Sequence, residues 1–176
     1  MIHNEDPTAV DEAVIVLHKG MIVDPLNYEC TNALARAYEK KGDLVNAIKY
    51  GKLATEQPNS NSNSHYFLGT LYMKKKDFKN AAESFRTLLR INNEHPEALI
   101  EYATISSIQG NFEKAKKYLK HALKSSPNNP TANMRLGRIY QTKLNELNLA
   151  IECFLKVTRV EPKNYKAYYY MGQCFI

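Results

Sequence analysis

Small and large apolar residues return along this chain with a fixed period. In the stretch 64–96 the apolar positions are Leu68, Gly69, Tyr72, Ala81 and Phe85. One column of this pattern holds alanines 34 residues apart, with a final step of 35: Ala13, Ala47, Ala81, Ala115 and Ala150. Four further columns keep the same steps and begin at Leu17, Leu34, Ala35 and Tyr38. A fixed period of about 20–50 residues is typical of a repeat architecture.

The spacing within one unit predicts two helices joined by a short turn. Leu68 and Tyr72 are four residues apart, as are Ala81 and Phe85, which places each pair on one face of a helix. Small residues in two of the columns let the helices approach closely, and the large residues fill the space around them. A Gly, or Lys76 in the second unit, ends the first helix, and an Asp or Asn caps the next. Each unit is therefore predicted to be a helical hairpin.

This pattern resembles that of the tetratricopeptide-repeat family, W-x2-L-G-x2-Y, then A-x3-F, then P, in units of 34 residues. Two units show it as His65-x2-Leu68-Gly69-x2-Tyr72 with Ala81-x3-Phe85, and as Asn133-x2-Leu136-Gly137-x2-Tyr140 with Ala150-x3-Phe154 and Pro162. The Trp column is never Trp and holds Thr31, His65, Leu99, Asn133 and Tyr168. The resemblance implies an all-α fold, a right-handed α-solenoid of antiparallel helix pairs, with about four full repeats and half repeats at both ends.

A single solenoid domain over residues 1–176 is expected. Its repeats are predicted at 1–25 (second helix only), 26–58, 62–95, 96–129, 130–163 and 164–176 (first helix only). The extra residue of the fourth unit is expected in its turn, Lys143–Leu147, because turns tolerate insertions best. Gly51 stands where other units have Phe or Leu, which predicts unfilled packing space and a weak point that costs about 1 kcal/mol.

Charge and cysteine content narrow the expected class of protein. The chain has a formal net charge of +6, with lysines clustered at 74–79 and 114–124. We interpret these clusters as solvated helix faces, with an acidic partner or nucleic acid as the alternative.

No run approaches the ~20 apolar residues of a membrane span, so no membrane association is expected. The polar start at residues 1–6 and three cysteines without a CxxC motif favour an intracellular protein, in the cytoplasm rather than the nucleus.

Catalytic and metal-binding motifs are absent from the sequence. It contains no Gly-rich phosphate loop, no G-x-S-x-G and no H-E-x-x-H. The five histidines are scattered, and none pairs with a second ligand at a metal-binding spacing. We therefore expect no enzyme activity, no catalytic residue, no cofactor and no metal.

The predicted function rests on a binding surface. In arrays of this family the first helices line a concave groove, and the columns beside the core supply its side chains. The partner-binding residues predicted in this way are Asn32, Arg36, Tyr66, Thr70, Met73, Ile100, Thr104, Met134, Arg138, Gln141, Tyr169 and Gln173. Tyr, Met and Arg are enriched at interface cores. The resemblance thus implies a non-catalytic scaffold or adaptor that binds a peptide or helix of another protein, as a fragment of a larger subunit of a multiprotein complex.

An RNA-binding helical-repeat protein is the alternative. The positive charge favours it, and some helical repeats read one base per unit. Those repeats use a regular polar column, whereas no column of this chain is consistently polar. A protein partner is therefore favoured and nucleic acid is not expected.

Both ends are expected to expose apolar columns. The last helix offers Ala167, Tyr168, Met171, Gly172 and Phe175, and the first offers Ala13, Val14 and Leu17. An array normally closes with a polar outer face. We therefore expect either an excerpt of a longer array or self-association through these uncapped ends.

Overall fold

The computed structural model describes residues 7–57 and 61–176. Over these residues it contains no strand, and its helices are α1 (Pro7–Val23), α2 (Tyr28–Lys40), α3 (Leu44–Glu56), α4 (Ser62–Lys74), α5 (Phe78–Ile91), α6 (Pro96–Ile108), α7 (Phe112–Ser125), α8 (Pro130–Ile139), α9 (Leu147–Val160) and α10 (Tyr165–Gln173). The fold is all-α, as predicted. The parts of the predicted repeats at residues 1–6 and 58 lie outside the described residues. No described helix combines the length and the apolar character needed to cross a bilayer.

The chain divides into two compact units, Met1–Ile91 and Asn92–Ile176. Within each unit, consecutive helices pack side by side. The hairpins of the first unit are α2–α3 and α4–α5, and those of the second are α6–α7 and α8–α9. Helix α1 packs on α2, and α10 packs on α9. The single solenoid domain over residues 1–176 stays a prediction.

The same backbone hydrogen bond closes the turn of the first three hairpins. The residue just before each second helix donates its backbone N–H to a carbonyl five residues earlier. The donor–acceptor pairs are Asp43–Tyr38 (3.0 Å), Asp77–Tyr72 (2.9 Å) and Asn111–Ser106 (2.8 Å). The residue before each donor is left-handed: Gly42 (φ +77°), Lys76 (φ +61°) and Gly110 (φ +78°). A left-handed residue followed by such a bond is a common way to end a helix. Lys76 therefore takes the place of glycine, as predicted.

The fourth hairpin accommodates its extra residue in a wide helical turn. Helix α8 continues into a π-helical turn, Tyr140–Leu144, and Asn145 is left-handed with φ +52°. The Glu146 N–H then donates to the Tyr140 carbonyl at 2.9 Å, which closes the turn as in the other hairpins, with one more residue. The insertion thus lies between Tyr140 and Glu146. It is a local π turn, the usual form of one extra residue in a helix, and not a looser loop.

A capping side chain begins every first helix. The acceptor–donor pairs are Asn27–Cys30 (2.9 Å), Asn61–Ser64 (3.3 Å), His95–Ala98 (3.4 Å), Asn129–Ala132 (2.9 Å) and Asn164–Ala167 (3.3 Å), each a side-chain atom that accepts a backbone N–H. Such caps satisfy N–H groups that have no partner inside the helix. We call these five capping residues the cap column. It follows the repeat period but is polar, so the apolar pattern did not include it.

The hairpin core depends on a glycine that lies against an aromatic ring. A Cβ added to Gly69 would lie 2.6 Å from Phe85 Cε1, and one added to Gly137 would lie 2.7 Å from Phe154 Cε1. Both rings are fully buried. The close helix approach predicted for this column is therefore confirmed, and it leaves no room for a side chain.

The unfilled space predicted at Gly51 is wrong. A Cβ there would lie 3.2 Å from Leu71 Cδ1 and 3.3 Å from Leu68 Cδ1, both on α4. Leucines of the next repeat occupy the volume that Phe or Leu fills elsewhere in this column. Gly51 thus lets α4 approach α3 closely.

Two carboxylate caps should make the first unit sensitive to acid. Hydrogen bonds from Asn46 to Asp43, and from Asn80 to Asp77, hold the pKa of each carboxyl below its ordinary value. Their stabilisation is therefore present above the ordinary pKa and is lost as the pH falls through the lowered one. Asn111 occupies the same position in the second unit without a titrating group.

We expect the double variant Asp43→Asn, Asp77→Asn to lose less thermal stability than the wild type between about pH 5 and pH 2, because its caps do not titrate. Melting curves by circular dichroism at each pH measure this loss. An equal fall in melting temperature for both proteins would show that these caps do not carry the acid sensitivity.

Candidate functional site

In the first unit the predicted groove residues lie on α2 and α4. Asn32, Tyr66, Thr70 and Met73 are half-buried, whereas Arg36 is exposed. The Arg36 guanidinium carbon lies 4.6 Å from the centroid of the Phe67 ring, which is a cation–π contact.

These side chains are also engaged with the scaffold. An ion pair of 2.6 Å between Lys74 Nζ and Glu39 Oε1 joins α4 to α2. The Tyr66 ring lies 5.8 Å from that of Phe85, so it extends from the core to the surface. The Thr70 hydroxyl donates to the Phe67 carbonyl of its own helix at 2.7 Å. This surface is therefore held in place by contacts within the unit.

In the second unit some of the predicted groove residues border a cleft of about 430 Å³ between α6, α8 and α10. Of the predicted residues, Thr104, Met134 and Arg138 line it. The others on this face lie outside the lining: Gln141 is half-buried, while Tyr169 and Gln173 are exposed and joined by a hydrogen bond of 3.0 Å.

Three cationic side chains line this cleft, Arg135, Arg138 and Lys166. The Arg138 guanidinium carbon lies 4.1 Å from the centroid of the Tyr170 ring. Its Nη1 donates to Gln141 Oε1 at 3.3 Å, and Gln141 Nε2 donates to the Tyr170 carbonyl at 3.0 Å. Arg138, which lines the cleft, is thereby held between an aromatic ring and an amide.

The second arginine of the cleft is partly neutralised. Arg135 donates to the Thr104 hydroxyl, and its Nη2 lies 3.6 Å from Glu101 Oε1. Lys166 is exposed. The positive charge of the cleft therefore exceeds its negative charge, which favours an acidic or carbonyl-rich ligand segment.

In both units, contacts between the same two repeat columns join neighbouring first helices. The three pairs are Arg36–Phe67, Thr104–Arg135 and Arg138–Tyr170, all from the same two columns one repeat apart. The first column was among the predicted groove residues, whereas the second was not. The members of the second column share the same repeat spacing: Ala33, Phe67, Glu101, Arg135 and Tyr170.

Ile100 is buried, with 4% of its surface exposed, so its prediction as a groove contact is wrong. Helix α6 is apolar nearly all round and buries residues on more than one face. A spacing argument that assumes one buried face therefore fails for this helix.

The end helices expose part of the predicted faces. Tyr168 on α10 is 49% exposed, and Phe175, two residues beyond the end of this helix, is 75% exposed. Apart from its chain neighbours and the backbone of its own helix, no described atom lies within 4 Å of a Cβ built on Gly172. Ala167 and Val14 are buried, so their predicted exposure is wrong. A cleft of about 550 Å³ lies between α1 and α2.

Two further chemical features are the state of a buried thiol and the distribution of metal-binding residue types. The Cys153 thiol has a pKa raised to about 11, chiefly by burial, so it carries no thiolate at neutral pH. Within residues 7–57 and 61–176, no group of three or more His, Cys, Asp or Glu side chains could hold a metal ion.

Comparison with known families decides what kind of protein this is. The model of the Cilia and flagella-associated protein 70 middle TPR-like domain matches residues 31–161. The chain belongs to the tetratricopeptide-repeat (TPR) family. The resemblance drawn from the repeat columns is thereby confirmed.

Two curated relatives resemble this TPR chain at low identity. Protein CTR9 homolog of Arabidopsis thaliana is 27% identical over 135 residues, which cover 76% of this chain and 12% of that protein. Anaphase-promoting complex subunit CDC16 of Saccharomyces cerevisiae is 28% identical over 174 residues, which cover 95% and 21%. The chain thus spans only a small part of the length of each relative.

Solved TPR structures share the fold. MamA superposes with a TM-score of 0.79 at 21% identity, covering 89% of this chain and 91% of MamA. YrrB, a TPR protein with an unusual peptide-binding site, gives 0.77 at 19%, covering 92% and 83%. A TPR protein from Parabacteroides merdae gives 0.82 at 20%, covering 94% and 66%. At these identities the likeness shows the fold alone, an all-α helical-repeat solenoid.

Proposed function

We propose that this TPR chain is a non-catalytic scaffold or adaptor that holds a segment of another protein against its first helices. The TPR fold is an interaction fold, and one relative is by its name a subunit of the anaphase-promoting complex. A role as part of a larger subunit of a multiprotein complex agrees with the small share of each relative that the chain spans.

The fixed position of Arg138 carries the proposal. Its guanidinium is stacked on Tyr170 and bonded to Gln141 before any ligand arrives. Immobilising a freely rotating arginine on binding reduces the binding free energy by about 0.5–1.5 kcal/mol. Because Arg138 is already held in place, much of this cost is avoided. Since Arg is also over-represented among the residues that dominate binding energy, Arg138 is the expected anchor of the second unit. Arg36, stacked on Phe67, has the same role in the first.

Replacing Arg138 by alanine should weaken partner binding by about tenfold or more, equivalent to 1.4 kcal/mol. Proteins are first captured from cell extract, and the affinity of each captured partner for the variant is then measured by titration. Arg159→Ala is the matched control, because Arg159 is an exposed arginine on α9 outside the cleft. Equal affinities for the two variants would overturn the assignment of the cleft.

RNA is the second candidate ligand, favoured by the lysine-rich α7. Lys117, Lys120 and Lys124 are exposed there, while Lys116 pairs with Glu113 at 2.9 Å. We infer that this surface is a solvated face and that the partners are proteins. The capture is therefore repeated after nuclease treatment. Loss of the captured proteins, with binding that falls steeply with salt, would favour RNA.

A second class of partner is another copy of the chain, through the exposed faces of α1 and α10. Exposed apolar side chains on α10 and just after it, Tyr168 and Phe175, support this. We infer that the protein works inside the cell, because its three cysteines are free thiols, and we propose the cytoplasm rather than the nucleus as its location. The proposal includes no membrane and no catalytic step.

A further inference from the structure

The cleft between α6, α8 and α10 continues into a second cleft toward the beginning of α8. The second cleft has a volume of about 220 Å³ and shares Met134, Arg135 and Lys166 with the first. Together they form one groove along α8 from Pro130 to Ile139, which we call the α8 groove. These two residues are nine positions apart, or about 14 Å along a helix. The α8 groove therefore matches about four residues of an extended segment.

The wider end of the α8 groove carries unbalanced positive charge. The lining of the 430 Å³ cleft includes Arg135, Arg138 and Lys166 and no acidic residue. Glu101 lies 3.6 Å from Arg135 and offsets its charge. Among the residues that the structure describes, neither Arg138 nor Lys166 forms an ion pair. Two positive charges are therefore available to a ligand at this end.

These two cations suit an anion with several oxygen atoms. The guanidinium of Arg138 has five N–H donors, and the hydrogen bond to Gln141 uses one of them. Lys166 is exposed and adds a compact point charge. A carboxylate carries one negative charge, whereas a phosphorylated side chain carries about −1.5 to −2 at pH 7 and has three acceptor oxygens. The phosphate therefore matches the charge of this end more closely than one carboxylate does.

An apolar floor lies beside these charges. Ala103 and Leu119 are almost fully buried in it, Met134 is half-buried, and Ile108 is 52% exposed. Apolar walls exclude water, and attraction between charges is stronger where water is excluded. The floor also provides a surface for an apolar side chain. The matching ligand therefore has an apolar residue next to its anionic one.

The combination of these two cations occurs once among the repeat columns. The column of Lys166 holds Glu29, Asn63, Glu97 and Thr131 in the earlier repeats. Arg36 occupies the same column as Arg138, but the residue in the place of Lys166 one repeat later is Asn63, which carries no charge. The first unit therefore offers one cation at the equivalent place, whereas the second unit offers two.

We propose that the α8 groove binds a partner segment through a phosphorylated serine or threonine, with the phosphate between Arg138 and Lys166 and a neighbouring apolar side chain on the floor near Ile108. This rests on the proposed function, because it names the ligand chemistry of the same cleft. Phosphorylation of the partner then raises its affinity for this chain. A nucleic acid carries a phosphate on every nucleotide, whereas two cations in a groove of this length match a single anionic group.

Titration with peptide libraries tests this ligand chemistry. Each library has a central phosphoserine, serine or glutamate between degenerate positions, and fluorescence anisotropy measures its binding to the full chain. The phosphoserine library should bind about tenfold more tightly than the serine library, with glutamate between them because it carries less charge. Equal results for the three libraries, including no binding of any, overturn the proposal. Tighter binding of a four-nucleotide RNA than of the phosphoserine library overturns it as well.

Variants of the two cations locate the phosphate. Arg138→Ala and Lys166→Ala should each remove most of the preference for phosphoserine over serine. Lys163→Ala should retain it, because Lys163 is an exposed lysine outside both clefts. Arg36→Ala should also retain it, because Arg36 lies in the first unit. If Lys163→Ala lowered the preference as much as Lys166→Ala, the attraction would be a general charge effect and the assignment to the groove would be wrong.

Phosphatase treatment of the captured partners separates this inference from the proposed function. Treated partners should bind the wild-type chain about tenfold more weakly than untreated ones. If treatment changes nothing while Arg138→Ala still weakens binding more than Arg159→Ala does, the cleft holds a protein segment and the phosphate is wrong. If Arg138→Ala and Arg159→Ala bind the partners equally, the proposed function fails, and the peptide libraries still decide whether the groove recognises phosphate.

Discussion

Replacing Phe85 with alanine should lower the free energy of unfolding by about 3–5 kcal/mol. The Phe85 ring is fully buried in α5, and its edge lies where Gly69 has no side chain. No neighbour can fill the space, because the residue opposite is a glycine in a regular helix. The loss therefore includes both the lost apolar burial and the cavity that remains. Chemical denaturation followed by circular dichroism measures it.

Phe175→Ala is the matched control for this change. Phe175 is the same residue type but is 75% exposed, so its removal should alter the free energy of unfolding by no more than about 0.5 kcal/mol. If Phe85→Ala lowered the free energy of unfolding no more than Phe175→Ala does, the packing of the Phe85 ring against Gly69 would not stabilise the hairpin.

Leucine at Gly137 and leucine at Gly172 should have opposite effects, although the two glycines share a repeat column. At Gly137 a Cβ would lie 2.7 Å from Phe154 Cε1 and 3.1 Å from Cys153 Cβ, and both side chains are buried. Overpacking of this kind costs about 1–3 kcal/mol, and the bulk of leucine places the change at the upper end. At Gly172 nothing is displaced, and the better helix propensity of leucine should raise stability by up to about 1 kcal/mol.

Denaturation curves of both leucine variants, recorded at concentrations where the chain is monomeric, give the comparison. Destabilisation by Gly172→Leu would mean that the outer face of α10 is covered within the chain. A neutral Gly137→Leu would mean that Phe154 has room to move aside.

The helices were predictable because their signal is periodic and local. Apolar residues four apart define the buried faces of α4 and α5, and Lys76 could be recognised as a turn residue from its column alone. The cap column was equally periodic, but it was missed because its polar residues lie outside the apolar pattern. Its asparagines show that a repeat has a polar signature as well as an apolar one.

What the sequence could not predict depends on neighbours in space. The volume missing at Gly51 is supplied by Leu71 from another column, so no single column shows the compensation. The burial of Ile100 depends on which faces of α6 are covered. The stacking of Arg138 on Tyr170 depends on the side-chain conformations of two residues in successive repeats. Spacing thus placed most of the predicted groove residues at partly exposed positions, but it did not predict their contacts.

The cap column also bears on how such a chain can evolve. Each repeat begins with its own capping residue, and the N–H bonds at Asp43, Asp77, Asn111 and Glu146 close the turn within the same 34 or 35 residues. A duplication or deletion in phase with Asn27, Asn61 or Asn129 therefore carries a complete start signal and a complete turn with it. The new junction joins a second helix to a capped first helix, as every existing junction does. Such arrays can lengthen or shorten by whole hairpins through recombination, without a new capping residue or a new turn at the boundary.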